Sequence, residues 1–269
     1  FLFYFYKDFP AHALIRRIPT PDARVLYFSC AAIAEITLKQ RSAILQGVSA
    51  QTLGLPPFAD GATGPNTLLR LNRLWGHPSK RRFSRRRQSY RANICSGLNN
   101  LWHLMKSQQV PSNQSEWMVT NESPDGYSLM HMTGQTQDLH VGDIVALQAL
   151  GDHSELATTW HVCIVRWAVS ENPEHIELGL QILAPKATAV EITHTHALES
   201  CKIAALILPP TPPLRPTQSL VVPAGLLREN TRRIIVVIEA DNLEIREVQA
   251  TSLDEQTSTI EIFSVLPDD

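Results

Sequence analysis

From Ser115 to the C-terminus the chain is written as short apolar segments divided by turn signals, and this rhythm constrains the fold more than any other feature of the sequence. The segments "SEWMVTN" (115–121), "YSLMHM" (127–132), "DIVALQAL" (143–150), "TTWHVCIVRWAV" (158–169) and "HIELGLQIL" (175–183) have strand length, and most of them alternate. Between them stand "SPDG", "HVGD" and "ENPEH". Five antiparallel strands at this spacing predict a sheet closed into a small barrel. A second set follows Cys201: "CKIAALILP", "QSLVVP", "RRIIVVIEA", "NLEIREVQAT" and "STIEIFSVL". Here "ADN" (240–242) reads as a tight hairpin turn and "PPTPPLRP" (209–216), which cannot donate to a ladder, as a connection. The stretch "APKATAVEITHTH" (184–196) reads as a linker between the sets.

Upstream the period changes. After the start signal "PTPD", residues 22–45 place Val25, Leu26, Ala32, Ile33, Ile36 and Ile44 on a helical stripe, and "NTLLRLNRLW" (66–75) reads as a second helix capped by Asn66. Residues 93–107 put Ile94, Leu98, Leu101, Trp102 and Met105 on one helical face, an amphipathic helix expected to cover the first barrel. The fold class that follows is mainly β with helical additions (α+β). Its expected parts are a helical N-terminal region over 1–79, a small antiparallel β-barrel domain over 80–193, and a second small β-domain over 194–269. Trp102, Trp160 and Trp167 are expected in cores.

At 43% hydrophobic and 19% charged residues, 269 residues describe a globular chain long enough for two or three cores. The net charge of −2 conceals a sharp partition. Residues 1–79 carry 8 basic and 4 acidic groups, whereas residues 92–269 carry 9 basic and 22 acidic groups. Between them "KRRFSRRRQSYR" (80–91) holds seven cations and no acid. A chain that repels anions over its C-terminal two thirds and concentrates cations in one short segment is suited to a local anion site rather than a broad nucleic-acid face.

Other chemistries find little support. Cys30, Cys95, Cys163 and Cys201 form no CxxC pair, and they read as reduced thiols of a cytoplasmic protein. His194 and His196 have no further ligands nearby in sequence, so no metal is expected. The aromatic opening "FLFYFYKDF" is too short to span a bilayer and reads as a strand or docking segment. With no paired acid–base constellation, nucleophile elbow or phosphate loop, neither an enzyme nor a resident cofactor is indicated.

Within the basic run, Arg86, Arg87 and Arg91 form Arg-Arg-x-x-x-Arg, and at the first strand-to-turn junction Asn121, Ser123 and Gly126 form Asn-x-Ser-x-x-Gly. In this order, followed by barrel strands, the two patterns resemble the signatures of the PilZ family, bacterial receptor domains for cyclic di-GMP. The resemblance covers roughly residues 80–190 and implies a barrel of PilZ type. It further implies cyclic di-GMP as ligand, with Arg86, Arg87 and Arg91 on a flexible segment wrapping onto the barrel, Asn121 and Ser123 holding guanine edges, and Gly126 keeping the turn open. An unidentified protein partner, and a role in motility, attachment or exopolysaccharide control, are implied in the same way. The chain departs from the family pattern in carrying Asn121 for Asp, in the helix expected over 93–107, and in the C-terminal β unit outside the match. The alternative is an RNA- or DNA-binding protein using residues 80–91 against phosphates, which the acidic C-terminal two thirds disfavour and which leaves "NESPDG" unexplained.

Overall fold

The computed structural model describes residues 2–4, 25–27, 29–61, 63–76, 83–107, 114–134, 136, 139–150, 159–172, 175–194, 202–212, 215–227, 233–239 and 243–267. Contacts divide the chain into Phe1–Arg82 and Phe83–Asp269. Of the basic run, residues 80–82 lie outside the described residues, as do the expected turn 240–242, Cys201 and His196.

In the N-terminal unit, β1 (Leu2–Tyr4) pairs antiparallel with β2 (Val25–Tyr27), followed by α1 (Ala31–Leu45) and α2 (Gly64–Gly76). The helix expected over 22–45 therefore starts at Ala31. The β-branched and aromatic residues of "VLY" are held extended by the ladder to "LFY", and this tertiary pairing overrides the helical stripe. Asn66 lies inside α2 rather than capping it, because the helix begins at Gly64–Pro65, where a proline's fixed φ suits the first turn. The two helices are tied by the Asn72 amide, which donates to the Ala34 carbonyl at 2.7 Å.

The C-terminal unit holds two closed six-stranded barrels. The first comprises β3 (Arg86–Ser96), β4 (Ser115–Ser123), β5 (Gly126–Thr133), β6 (Ile144–Leu150), β7 (His161–Asn172) and β8 (His175–Ala184), in the order β3-β4-β5-β8-β7-β6. Its interior is filled by residues that alternate along each strand, among them Trp117, Val119, Tyr127, Leu129, Val165, Leu178 and Leu180. The sixth strand, β3, begins within the basic run, at Arg86, and continues to Ser96. Of the segment expected to be flexible, residues 86–91 are extended and laddered to β4, and from Arg91 onward the strand also pairs with β6.

The second barrel comprises β9 (Thr188–His194), β10 (Ile203–Leu208), β11 (Ser219–Pro223), β12 (Arg233–Glu239), β13 (Leu243–Gln256) and β14 (Ile260–Pro267), in the order β10-β11-β14-β13-β12-β9. The expected linker 184–196 thus contains a barrel strand, and a boundary at 193 cuts through it. Val190 and Ile192 point into the second core, so a segment short on apolar residues is recruited by pairing with β10 and β12.

α3 (Leu98–Ser107) starts after β3 rather than at residue 93, and it covers more than the first barrel. Leu98, Leu101 and Leu104 share one core with Ile144 and Ile164 of the first barrel and with Leu206, Val221 and Ile262 of the second. The Trp102 indole donates to the Val190 carbonyl at 2.8 Å, and Lys106 pairs with Glu239 at 2.8 Å. The helix is therefore a wedge whose apolar face joins the barrels.

Candidate ligand-binding site

Arg87 and Asn121 come to share one face because of two register irregularities. Along β4, Trp117 and Val119 point inward, and strict alternation would send residue 121 inward as well. Register shifts between Val119 and Asn121 against β5, and between Arg87 and Tyr90 against β4, reverse the alternation. Bulges re-aim side chains in this way. Asn121 consequently turns out and Glu122 turns in.

Following cross-strand partners from Asn121 traces one row over the outer face. Arg87 of β3 faces Asn121, Asn121 faces Ser128 of β5, Ser128 faces Gly179 of β8, and Gly179 faces Trp167 of β7. A second row runs from Ser123 through Gly126 to Gln181. The floor of this surface is flattened at two glycines. A Cβ on Gly126 would stand 2.1 Å from the Leu180 carbonyl oxygen, so glycine is required by close backbone approach. At Gly179 a Cβ would stand 1.8 Å from Trp167 Nε1, so the indole lies against the bare backbone. Trp167, expected in a core, is half-buried on the outer face and belongs to none of the buried clusters.

Cations edge this floor on the β3 side. The Arg85 guanidinium reaches across to the Ser128 hydroxyl at 3.0 Å. Arg87 is exposed and makes no hydrogen bond or ion pair with the described residues. Arg86 points to the opposite side, as the next residue of an extended strand must, and faces Glu122. It lines a cleft of about 360 Å³ with Phe83, Ser84, Gln88, Glu122, Ser123 and Pro124, at the edge of the β4–β5 turn. Arg91 lies further along β3, opposite Met118, and pairs with Glu116 at 3.1 Å. The structure therefore brings Arg87, Asn121, Ser123 and Gly126 onto one surface with Arg85, places Arg86 on the other side of β3 in a cleft that shares Ser123, and sets Arg91 further along the strand.

Ser123 is only 8% exposed, and its hydroxyl lies 2.7 Å from Asp125 Oδ1 and 3.2 Å from the Gly126 carbonyl. These contacts fix the turn between β4 and β5. Beneath the outer face, Glu122 accepts hydrogen bonds from the Tyr90 hydroxyl and the Gln88 amide, each at 3.2 Å, and binds the start of β3 to β4. Deeper in the mouth, the Tyr127 hydroxyl and His161 Nδ1 are 2.7 Å apart. Burial pushes both tyrosines above the ordinary phenol range and lowers His161, while the Glu122 charge opposes the shift of the imidazole. Among the described residues no group of three His, Cys, Asp or Glu side chains could hold a metal ion.

Two members of this surface escape a sequence reading. Arg85 lies two positions before Arg87 and so shares its side of an extended chain, a signal the Arg-Arg-x-x-x-Arg spacing obscures. Trp167 carries no such signal, because a register shift between Val165 and Trp167 decides its face.

Comparison with known proteins bears on the first barrel. Residues 105–189 match the family model of the middle PilZ domain of the cyclic-di-GMP receptor FimW. That span contains Asn121, Ser123 and Gly126 and begins after the arginines. Among curated proteins none matches the chain. Among solved structures, the chain is similar to the PlzA protein of Borreliella burgdorferi, solved in complex with c-di-GMP. That likeness has 10% identity and a TM-score of 0.24 over 68% of this chain and 87% of that one, a superposition too loose to carry an argument. The family match falls on strands β4 to β8 of a closed barrel that carries the Asn-x-Ser-x-x-Gly motif at its β4–β5 turn, and over these residues the first barrel is similar to a PilZ domain.

Proposed function

We propose that the chain is a cyclic di-GMP receptor that binds the dinucleotide on the outer face of its first barrel. The observation that carries this reading is the row Arg87–Asn121–Ser128–Gly179–Trp167, with a guanidinium free of partners among the described residues at one end and an indole at the other. A cyclic dinucleotide offers two phosphates and two guanines, and each guanine presents O6 and N7 to a planar guanidinium. Arg87 has the geometry for such a contact, and Arg85, already over Ser128, takes the second place. The Asn121 amide supplies a donor and an acceptor to a guanine edge, and Trp167 supplies a face for stacking, which contributes about 1–3 kcal/mol per base. Arg86 and Arg91 act through the local potential.

A receptor of this kind is not catalytic, and it works in the cytoplasm by presenting an altered surface to a protein partner in motility, attachment or exopolysaccharide control. The family resemblance supports that much. Titration calorimetry of variants tests the site. Ser123→Ala should weaken binding about 2- to 10-fold by loosening the β4–β5 turn, and Asn121→Asp should retain it, since the acceptor is kept. Complete loss with Asn121→Asp, or unchanged affinity with Ser123→Ala, contradicts the assignment.

A further inference from the structure

We infer that Arg166 is a further ligand-binding residue and that Glu255 of the second barrel competes with the ligand for it. The inference rests on the receptor reading and extends the site to its far edge. Arg166 sits at the register shift between Val165 and Trp167. Val165 enters the core, so Arg166 and Trp167 both emerge on the outside. The guanidinium is held over the outer face by Gln181, whose side-chain oxygen accepts from Arg166 Nε at 2.6 Å. Gln181 is the register partner of Gly126, which in turn faces Ser123. Two strand spacings, about 10 Å, therefore separate Ser123 from Gln181. That is the span of a cyclic dinucleotide whose near edge lies against Arg85 and Arg87.

The chemistry of the ligand calls for a cation at that edge. Its two phosphates lie on opposite sides of the macrocycle, and arginines confined to β3 can neutralise only one side. Arg166 is not idle, however: its Nη2 is 2.8 Å from Glu255 on β13, with side chains 37% and 21% exposed. A groove of about 370 Å³ opens beside this pair, lined by Gln181, Arg215, Thr217 and Asp254 among others, so the pair can be approached. Asp254 is already engaged by the Ser252 and Ser264 hydroxyls, at 2.9 and 2.6 Å. Glu255 lowers affinity twice over, by neutralising the cation and by repelling a dianion. A phosphate that draws Arg166 toward it weakens the Arg166–Glu255 pair, and linkage makes the effect reciprocal: whatever weakens the pair tightens the ligand.

Calorimetric titration of the full chain with cyclic di-GMP separates the possibilities. Arg166→Gln is expected to weaken binding about tenfold, Arg166→Lys less, and Glu255→Gln to tighten it several-fold. In the double variant Glu255→Gln should give no gain, because the group it releases is gone. Two results overturn the inference while leaving the receptor reading intact. One is Arg166→Gln with wild-type affinity when arginine variants on β3 are weakened. The other is Glu255→Gln tightening binding equally with and without Arg166, which marks a general charge effect. Absence of binding by the wild type overturns both. Circular dichroism of each variant, expected to match wild type because neither side chain belongs to a core, excludes misfolding as the cause of a loss.

Discussion

The double variant Arg85→Ala/Arg87→Ala is expected to lower affinity for cyclic di-GMP roughly a hundred- to ten-thousand-fold while leaving the fold intact. The size follows from charge-assisted hydrogen bonds, which contribute about 1.5–3 kcal/mol each. Two of them removed together give that range at tenfold per about 1.4 kcal/mol. The fold should survive because neither side chain is part of a core. Arg87 is exposed without a partner among the described residues, and Arg85 is held there by one bond to Ser128. Arg91→Ala is the informative control. It removes an arginine of the original pattern whose ion pair with Glu116 is mostly solvated, and its expected effect is several-fold at most. If Arg91→Ala matched the double variant, the ligand would lie lower on β3 than the row described above.

The two glycines of the floor are expected to fail in different ways, and the contrast tests the geometry without any ligand. A Cβ at position 126 meets the Leu180 carbonyl, which is backbone in a laddered strand and cannot turn aside. Gly126→Ala should therefore destabilise the C-terminal unit by about 3 kcal/mol, the upper part of the range for overpacking, and Gly126→Val by more. At position 179 the obstacle is the Trp167 ring, a side chain that can swing out to solvent. Gly179→Ala should give a smaller stability loss, about 1 kcal/mol, but remove the stacking face and weaken the ligand. Chemical denaturation of both variants checks the order. Equal losses at the two positions would mean that Trp167 is fixed by more than its rest on Gly179.

What the sequence makes legible is the alternation, and hence the first barrel and a second β unit, and the pairing of a basic run with Asn-x-Ser-x-x-Gly. What it conceals comes from long-range pairing. The resemblance implies a flexible strip for the arginines, yet Tyr90 and, beyond the run, Ala92 and Ile94 alternate into the core and carry residues 86–91 into the sixth strand. β9 is hidden among polar residues, and its place in the barrel is set by its ladders to β10 and β12. The site suffers from the same blindness. Register shifts on β3, β4 and β7 decide which way Arg87, Asn121 and Trp167 point, and no local pattern announces them. Spacing alone groups Arg86 with Arg87, although successive residues of a strand face opposite ways.

The most direct test of the central claim is titration calorimetry of the wild-type chain with cyclic di-GMP at about 150 mM salt, beside single-stranded RNA under the same conditions. A guanidinium-edged floor of this size predicts saturable heats with the dinucleotide, at micromolar affinity or tighter, and none with RNA. Flat heats with the dinucleotide, together with RNA binding that falls steeply as salt rises, would contradict it and assign the basic strand to phosphate backbones.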